Sequence, residues 1–294
     1  MEFGTLPYDE INNVDFSLPP EPGRNATVLT GQRNHPKLYV GMPQWGRTEW
    51  VGKLYPKGAK QRDFVTYYAK QFNAIEFNAT HYRLWEPWKL AQWAGQANSP
   101  AFMFCPKMFK EITHRPAIDK KQELLKQFLG NIEGFGKNLG PVFIQLQEGF
   151  NGKRKKELFD FLEQLPVHSK QFFLELRHPE LLSNEALFDY LQSKNIGVVI
   201  TDAAGRRDCA HMKLTIPKVF IRCIFNNHPS DIARIIDWAS RLNRWMEQGL
   251  TEVYFFVHAK DERATPAIAQ GVIATFNKVC KVEIPELQFI PGLL

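Results

Sequence analysis

Residues 171 to 177, Gln171-Phe-Phe-Leu-Glu-Leu-Arg177, put Phe172, Leu174 and Leu176 on one face of an extended chain, with Glu175 and Arg177 on the other. A period of two is the mark of a strand, and here the face opposite the apolar one ends in two charges. Seven further segments have the same strand character. They are residues 38 to 42 (LYVGM), 73 to 78 (NAIEFN), 101 to 106 (AFMFCP), 141 to 146 (PVFIQL), 197 to 202 (GVVITD), 219 to 224 (VFIRCI) and 252 to 258 (EVYFFVH). Helical stretches fall between them at about 60 to 71, 87 to 97, 119 to 137, 153 to 164, 184 to 193, 230 to 248 and 267 to 280. Only the interval from Ala203 to Lys218 is too short for more than a stub. Strand and helix alternating eight times predict parallel strands joined by right-handed crossovers, and eight is the number that closes a barrel. An open doubly wound sheet is the alternative. Against it, no G-x-G-x-x-G follows the first strand and there is no P-loop. The fold class expected is a single α/β (β/α)8 TIM-like barrel, divided as an extended N-terminal arm at 1–36, the barrel at 37–282 and a C-terminal tail at 283–294.

In such a barrel alternate residues point inward, and those at the C-terminal ends of the strands floor the mouth where active sites are built. The second strand offers Glu76 and Asn78 on the inner parity, and Lys107 follows Met103 and Cys105 past the third. Gln145 comes from the fourth strand, Glu175 and Arg177 from the fifth, Asp202 from the end of the sixth, Arg222 from the seventh and His258 from the eighth. Each alone reads as easily as a structural ion pair or a core histidine. Together they form a ring in which six buried charges would be costly unless all were paired or used. Three acids (Glu76, Glu175, Asp202) facing three bases (Lys107, Arg177, Arg222) suit a neutral polar ligand or a small anion. A single divalent ion on Glu76, Glu175 and Asp202, with His178 or His258 as a further donor, is the alternative occupant. There is no H-E-x-x-H pattern, and carboxylates already paired with Arg or Lys make poorer ligands. The loops after the first two strands are aromatic, with Trp45, Trp50, Tyr55, His81, Tyr82 and Trp85, which suits stacking on a sugar or base or, equally, a hydrophobic lid. Trp88, Trp93, Trp238 and Trp245 lie at helical spacing and read as core.

The 294 residues are 44% hydrophobic and 23% charged, with a net charge of +6, which excludes collagenous, disordered and disulfide-scaffold classes. The densest basic run, Lys153-Arg154-Lys155-Lys156, reads as a solvated helix start rather than a nucleic-acid surface. Cys105, Cys209, Cys223 and Cys280 have no C-x-x-C spacing and read as reduced thiols in a cytoplasmic protein. No stretch reaches the roughly 18 apolar residues of a membrane span, and the acidic, proline-rich start is unlike a signal peptide. Without export, the N-x-T matches at Asn25 and Asn78 are chance occurrences.

Several motifs, in order, carry a resemblance. They are Gly41-Met-Pro-Gln-Trp45 with Glu49-Trp50 and Leu54-Tyr55-Pro56, Glu76-Phe-Asn78-Ala-Thr80-His-Tyr82-Arg83, and Lys107 with Ile112-Thr113-His114. Gly140-Pro141 leading to Gln145-Leu146, and Glu175-Leu-Arg177-His178-Pro179, continue the series, with Asp202 and Arg222 in register. This pattern resembles the YecE-like family, domain of unknown function 72, from about Lys37 to Cys280. The resemblance implies a TIM-like barrel distantly similar in shape to the endonuclease IV and xylose isomerase barrels, with no established activity. Gln147-Glu148, Cys223-Ile224 and Val257-His258 depart from the family pattern and leave the residues of strands two, three and five intact.

The expected activity is that of an enzyme, a hydrolase, lyase or isomerase, or of a ligand-binding barrel, acting on a small polar or anionic metabolite such as a sugar or phosphorylated compound. Glu76, Lys107, Glu175, Arg177 and Asp202 are the expected catalytic set, with a carboxylate as general acid or base and the cations stabilising anionic oxygens. Trp45, Asn78, Tyr82, His114, Gln145, His178, Arg222 and His258 are the expected ligand-binding set. A nucleic-acid binder or repair nuclease and a non-catalytic sensor or scaffold are the competing classes.

Overall fold

The structure, a computed structural model, describes residues 3–290. The first two residues of the expected arm and the last four of the expected tail lie outside the described residues. Strands β1 (Lys37–Met42), β2 (Ala74–Phe77), β3 (Met103–Pro106), β4 (Val142–Gln145), β5 (Phe172–Glu175), β6 (Gly197–Asp202), β7 (Lys218–Phe225) and β8 (Glu252–Ala259) occupy the eight expected segments. All neighbours pair in parallel, in the order β3-β2-β1-β8-β7-β6-β5-β4. The barrel nearly closes between β3 and β4, where the Gly140 N–H donates to the Phe104 carbonyl at 2.8 Å and the Met108 N–H to the Phe143 carbonyl at 2.9 Å.

Helices α1 (Phe64–Gln71), α2 (Pro87–Ala97), α3 (Gln122–Ile132), α4 (Lys155–Leu162), α5 (Glu185–Ser193), α6 (Ser230–Glu247) and α7 (Thr265–Cys280) surround it. The sixth crossover has a single 3-10 turn at Arg207–Cys209. In α6, Ile235, Trp238, Ala239, Leu242, Trp245 and Met246 recur at helical spacing and are buried against the sheet. Trp88, in contrast, is 68% exposed on the outer face of α2, a correction to its reading as core. No helix among the described residues is long and apolar enough to cross a membrane. Two cations of the basic run are locally paired, Arg154 with Glu157 and Lys156 with Asp160.

Outward residues of the strands, such as Ile75, Phe104, Ile144, Leu174, Ile200 and Phe255, join the main core beneath the helices. The barrel interior is a separate cluster dominated by rings, including Phe143, Phe173, Phe220, Tyr254 and Phe256. Such interiors usually hold branched aliphatics; rings this large fit only if neighbouring positions are small. Gly41 and Gly197 supply that room. A Cβ on Gly41 would lie 2.1 Å from the Ala74 carbonyl oxygen and 3.2 Å from the Phe256 ring, and one on Gly197 would lie 2.3 Å from Phe173. The aromatic packing fills the lower barrel and leaves only the topmost layer for polar side chains.

The N-terminal arm is docked along the barrel. Ile11 and Phe16 are buried with Ala204. The Asn25 side chain accepts from the Leu214 N–H and donates to the Met212 carbonyl and to Glu21, while Trp245 Nε1 donates to Glu21 at 2.7 Å. Asn25 is thus 1% exposed and structural. Past α7, Ile284 and Leu287 turn back into the core.

Gly41→Ala is expected to destabilise the barrel by at least about 2 kcal/mol, because its new methyl must displace backbone rather than a flexible side-chain end. Urea denaturation reads this, and an unchanged midpoint contradicts the packing described.

Candidate functional site

Above the ring layer the inward parity places Glu76 on β2, Gln145 on β4, Glu175 on β5, Arg222 on β7 and His258 on β8, all buried. Arg222 lies at their centre. Its Nε and Nη2 donate to the two oxygens of Glu76 at 2.9 and 2.8 Å, and its Nη1 donates to Glu175 Oε2 at 2.9 Å. The guanidinium sits 5.5 Å from the Phe143 ring centroid, so the aromatic plug forms its floor.

Both carboxylates are saturated by donors. Glu76 also accepts from Asn78 Nδ2 at 2.9 Å and from His258 Nε2 at 2.8 Å. Glu175 accepts from Arg177 Nε at 2.7 Å and from Gln145 Nε2 at 3.0 Å to each oxygen. Burial pushes both acids up, but Arg222 and His258 hold Glu76 well below the usual carboxylate range, and Arg177, Arg222 and Lys107 bring Glu175 to about 2. A carboxyl held there is ionised at neutral pH and has no proton to give.

Lys107, just past β3, is 7% exposed, and its Nζ donates to the neutral Gln145 Oε1 at 2.8 Å. Among the described residues it forms no ion pair. Burial first, and then the Arg222 charge, bring its ammonium down to about 7, against partial opposition from Glu175 and Glu76. A lysine near that value exchanges its proton readily at neutral pH.

Three histidines line the same cleft. His81 Nδ1 lies 2.8 Å from the Met108 carbonyl; an oxygen that only accepts makes that nitrogen the donor. Burial and then Lys107 hold His81 at about 3 and His114 at about 4, so both are neutral, with rings edge to face at 4.7 Å. His258 is lowered by burial against the pull of Glu76. Its Nε2 faces an ionised carboxylate and therefore carries the hydrogen. Asn78, His81, exposed Tyr82, Lys107, His114, Gln145, Arg177 and His258 border a cleft of about 570 Å³, with Phe3, Gln44 and Glu262 on its rim.

Three expected site residues lie elsewhere. Asp202 shares parity with Val198 and Ile200, which pack under the helices, so its carboxylate points out of the barrel. There it accepts from Trp238 Nε1 at 2.8 Å and pairs with Arg234 at 3.1 Å and with Arg207. Trp45 stacks on Phe77 at 5.3 Å and abuts Trp93 and Phe104, as part of the hydrophobic lid. His178 caps a helical turn, its Nδ1 accepting from the Glu180 N–H at 3.3 Å. With Asp202 outside, the divalent-ion set does not assemble. Among the described residues no group of three or more His, Cys, Asp or Glu side chains could hold a metal ion. Removing Asp202 also changes the charge balance to two carboxylates against Lys107, Arg177 and Arg222.

His81, Gln44, Glu262 and Phe3 are cleft residues that sequence reasoning does not select. His81 is visible there only as a member of an aromatic loop, and nothing in strand parity points to a loop histidine or to the arm.

Comparison with known proteins agrees with this architecture. The family described as Protein of unknown function DUF72 matches residues 39–288. The UPF0759 protein YecE of Escherichia coli K12 is 25% identical over 279 residues, spanning 87% of this chain and 97% of YecE. A DUF72 family protein from Enterococcus faecalis V583 is 15% identical, with a TM-score of 0.65, covering 85% of this chain and 100% of its own. A DUF72 family protein from Thermotoga maritima MSB8 is 20% identical, with a TM-score of 0.61, covering 84% and 100%. At these identities the structural likeness speaks for the fold alone. The arm precedes the matched region.

Arg222→Met leaves two buried carboxylates without their shared cation and is expected to lose about 3–5 kcal/mol in urea denaturation. Because Glu175 is depressed in the folded state, its stabilisation is present above the ordinary value of 4.5 and is lost as pH falls toward about 2. Wild type should therefore weaken across that window, and Arg222→Met should show a flattened dependence; equal slopes would contradict the arrangement.

Proposed function

The chain belongs to the DUF72 family of proteins of unknown function, and from the mouth of its barrel we propose that it binds a small anionic, polar metabolite, of the sugar-phosphate or carboxylate class, and transfers a proton to or from it through Lys107. One observation carries this reading. In a mouth where both carboxylates are already taken by arginines, Lys107 is a buried cation hydrogen-bonded to a neutral amide. Protonated, it leaves an excess positive charge next to an open cleft, and an anionic group is the natural counter-ion.

The other residues take supporting parts. Arg177 borders the cleft beside Lys107 and offers the guanidinium hydrogens not used on Glu175 to a ligand oxygen. Asn78 and the neutral imidazoles of His81 and His114 give hydrogen bonds without adding charge. Glu76 and Glu175, the general acid or base candidates of the sequence, are better suited to holding Arg222 and Arg177 in place. Lys107 takes the proton-transfer part, since deprotonation near neutral pH turns it into a base within reach of the bound molecule. The four free, buried thiols support placing the protein in the reducing cytoplasm.

Sulfate, whose charge does not change near neutrality, is the probe of choice. Its affinity should fall about tenfold between pH 6 and pH 8 as Lys107 loses its proton, a loss that isothermal titration would read. Lys107→Met should bind sulfate poorly at both values, and Lys107→Arg should bind equally at both. Binding that ignores pH, or survives Lys107→Met, overturns the proposal.

A further inference from the structure

The first described residues of the N-terminal arm, from Phe3, reach the mouth. From Ile11 onward the arm is fastened by buried side chains and by Arg207, whose Nη2 donates to the carbonyls of Phe16 and Ser17 at 3.2 and 3.3 Å. Ahead of that anchor, residues 3–6 cross the C-terminal face of the barrel. The Gly205 N–H donates to the Gly4 carbonyl at 2.8 Å, and Lys260 Nζ donates to the Leu6 carbonyl at 2.9 Å. With the backbone held there, the Phe3 ring lies over Arg177, the guanidinium carbon 3.6 Å from the ring centroid and that of Arg206 at 5.1 Å.

Two cavities meet at this ring. One is the cleft of about 570 Å³ above Lys107, and the other, of about 580 Å³, lies behind residues 3–6 beside Gln147, Glu148 and Arg206. Phe3, His114 and Arg177 line both, and Phe3 is the only one of the three that comes from outside the barrel. The seat of residues 3–6 is also specific. Gly4 has φ +66, and a Cβ there would lie 2.7 Å from the Ala203 Cβ, so a larger residue cannot take this path.

We propose that Phe3 is a specificity-determining residue, a partition that lets a small anion reach Lys107 and refuses any ligand long enough to span both compartments. This rests on the reading of Lys107 above and adds the size limit. Because the arm precedes the region matched by the family, the limit is set by this chain's own arm and not by the shared barrel.

Amine reagents of graded size test the partition without a known ligand. Cyanate is small, whereas a sulfonated N-hydroxysuccinimide ester carrying a long-chain biotin is longer than the cleft and must cross Phe3 to lie along the barrel face. Peptide mass spectrometry follows modification of Lys107 in wild type, Phe3→Ala and Gly4→Val, the second variant displacing residues 3–6 through their backbone. Cyanate should modify Lys107 of all three at rates within about twofold, and the long ester should act at least about fivefold faster on both variants than on wild type. Equal rates with the long ester in all three would overturn the partition while leaving the reading of Lys107 intact. Failure of cyanate to favour Lys107 over surface lysines in any of them would instead remove that reading, and the partition with it.

Discussion

The contact on which the mouth depends is the fork of Arg222, fully buried on β7, spanning Glu76 on β2 and Glu175 on β5. Around the barrel β2 and β5 are three strands apart, and β7 is two strands from β5 and three from β2, so a single guanidinium ties three separate parts of the wall together just above the aromatic plug. A buried carboxylate is tolerated only if its charge is met by well-aligned donors, and here each receives several. With the rings below fixing the depth of the layer, Arg222 has one place to sit. The carboxylates, in turn, have one orientation.

That constraint shapes what is left for a ligand. Since Glu76 and Glu175 are engaged by the arginines, Lys107 has no ion-pair partner among the described residues; its Nζ donates to the neutral Gln145, and the two carboxylates offset its burial and the Arg222 charge only in part. The same low-dielectric setting that makes the Arg222 pairs strong lowers the proton affinity of Lys107. A structural ion-pair cluster and a group with its pKa near neutrality are therefore two outcomes of one charge distribution. The docked arm then narrows the approach to that group.

Much of the architecture was legible from period-two alternation, because a strand buried on both faces still has to sort charge from hydrocarbon. Glu175 between Leu174 and Leu176, and Arg222 between Ile221 and Cys223, reveal the inner parity directly. Asp202 stands at a strand end, where a polar residue reads as part of the mouth, yet it alternates with Val198 and Ile200 and so faces outward to Arg234, a helix residue far along the chain. Trp45 and His178 belong to loops, where no periodicity reports direction; one became packing and the other a helix cap. Phe3 was out of reach altogether, since a residue's path across a barrel mouth depends on where the rest of its segment docks.

Beside the Arg222 network, Lys107 is a buried amine whose proton affinity is lowered toward neutrality. Its direct measurement is the titration of the Lys107 side chain by NMR in isotopically labelled protein, following the Cε and Nζ shifts from pH 5 to pH 11. A midpoint at about 7 is expected. A midpoint at the ordinary lysine value of 10.5 would contradict it.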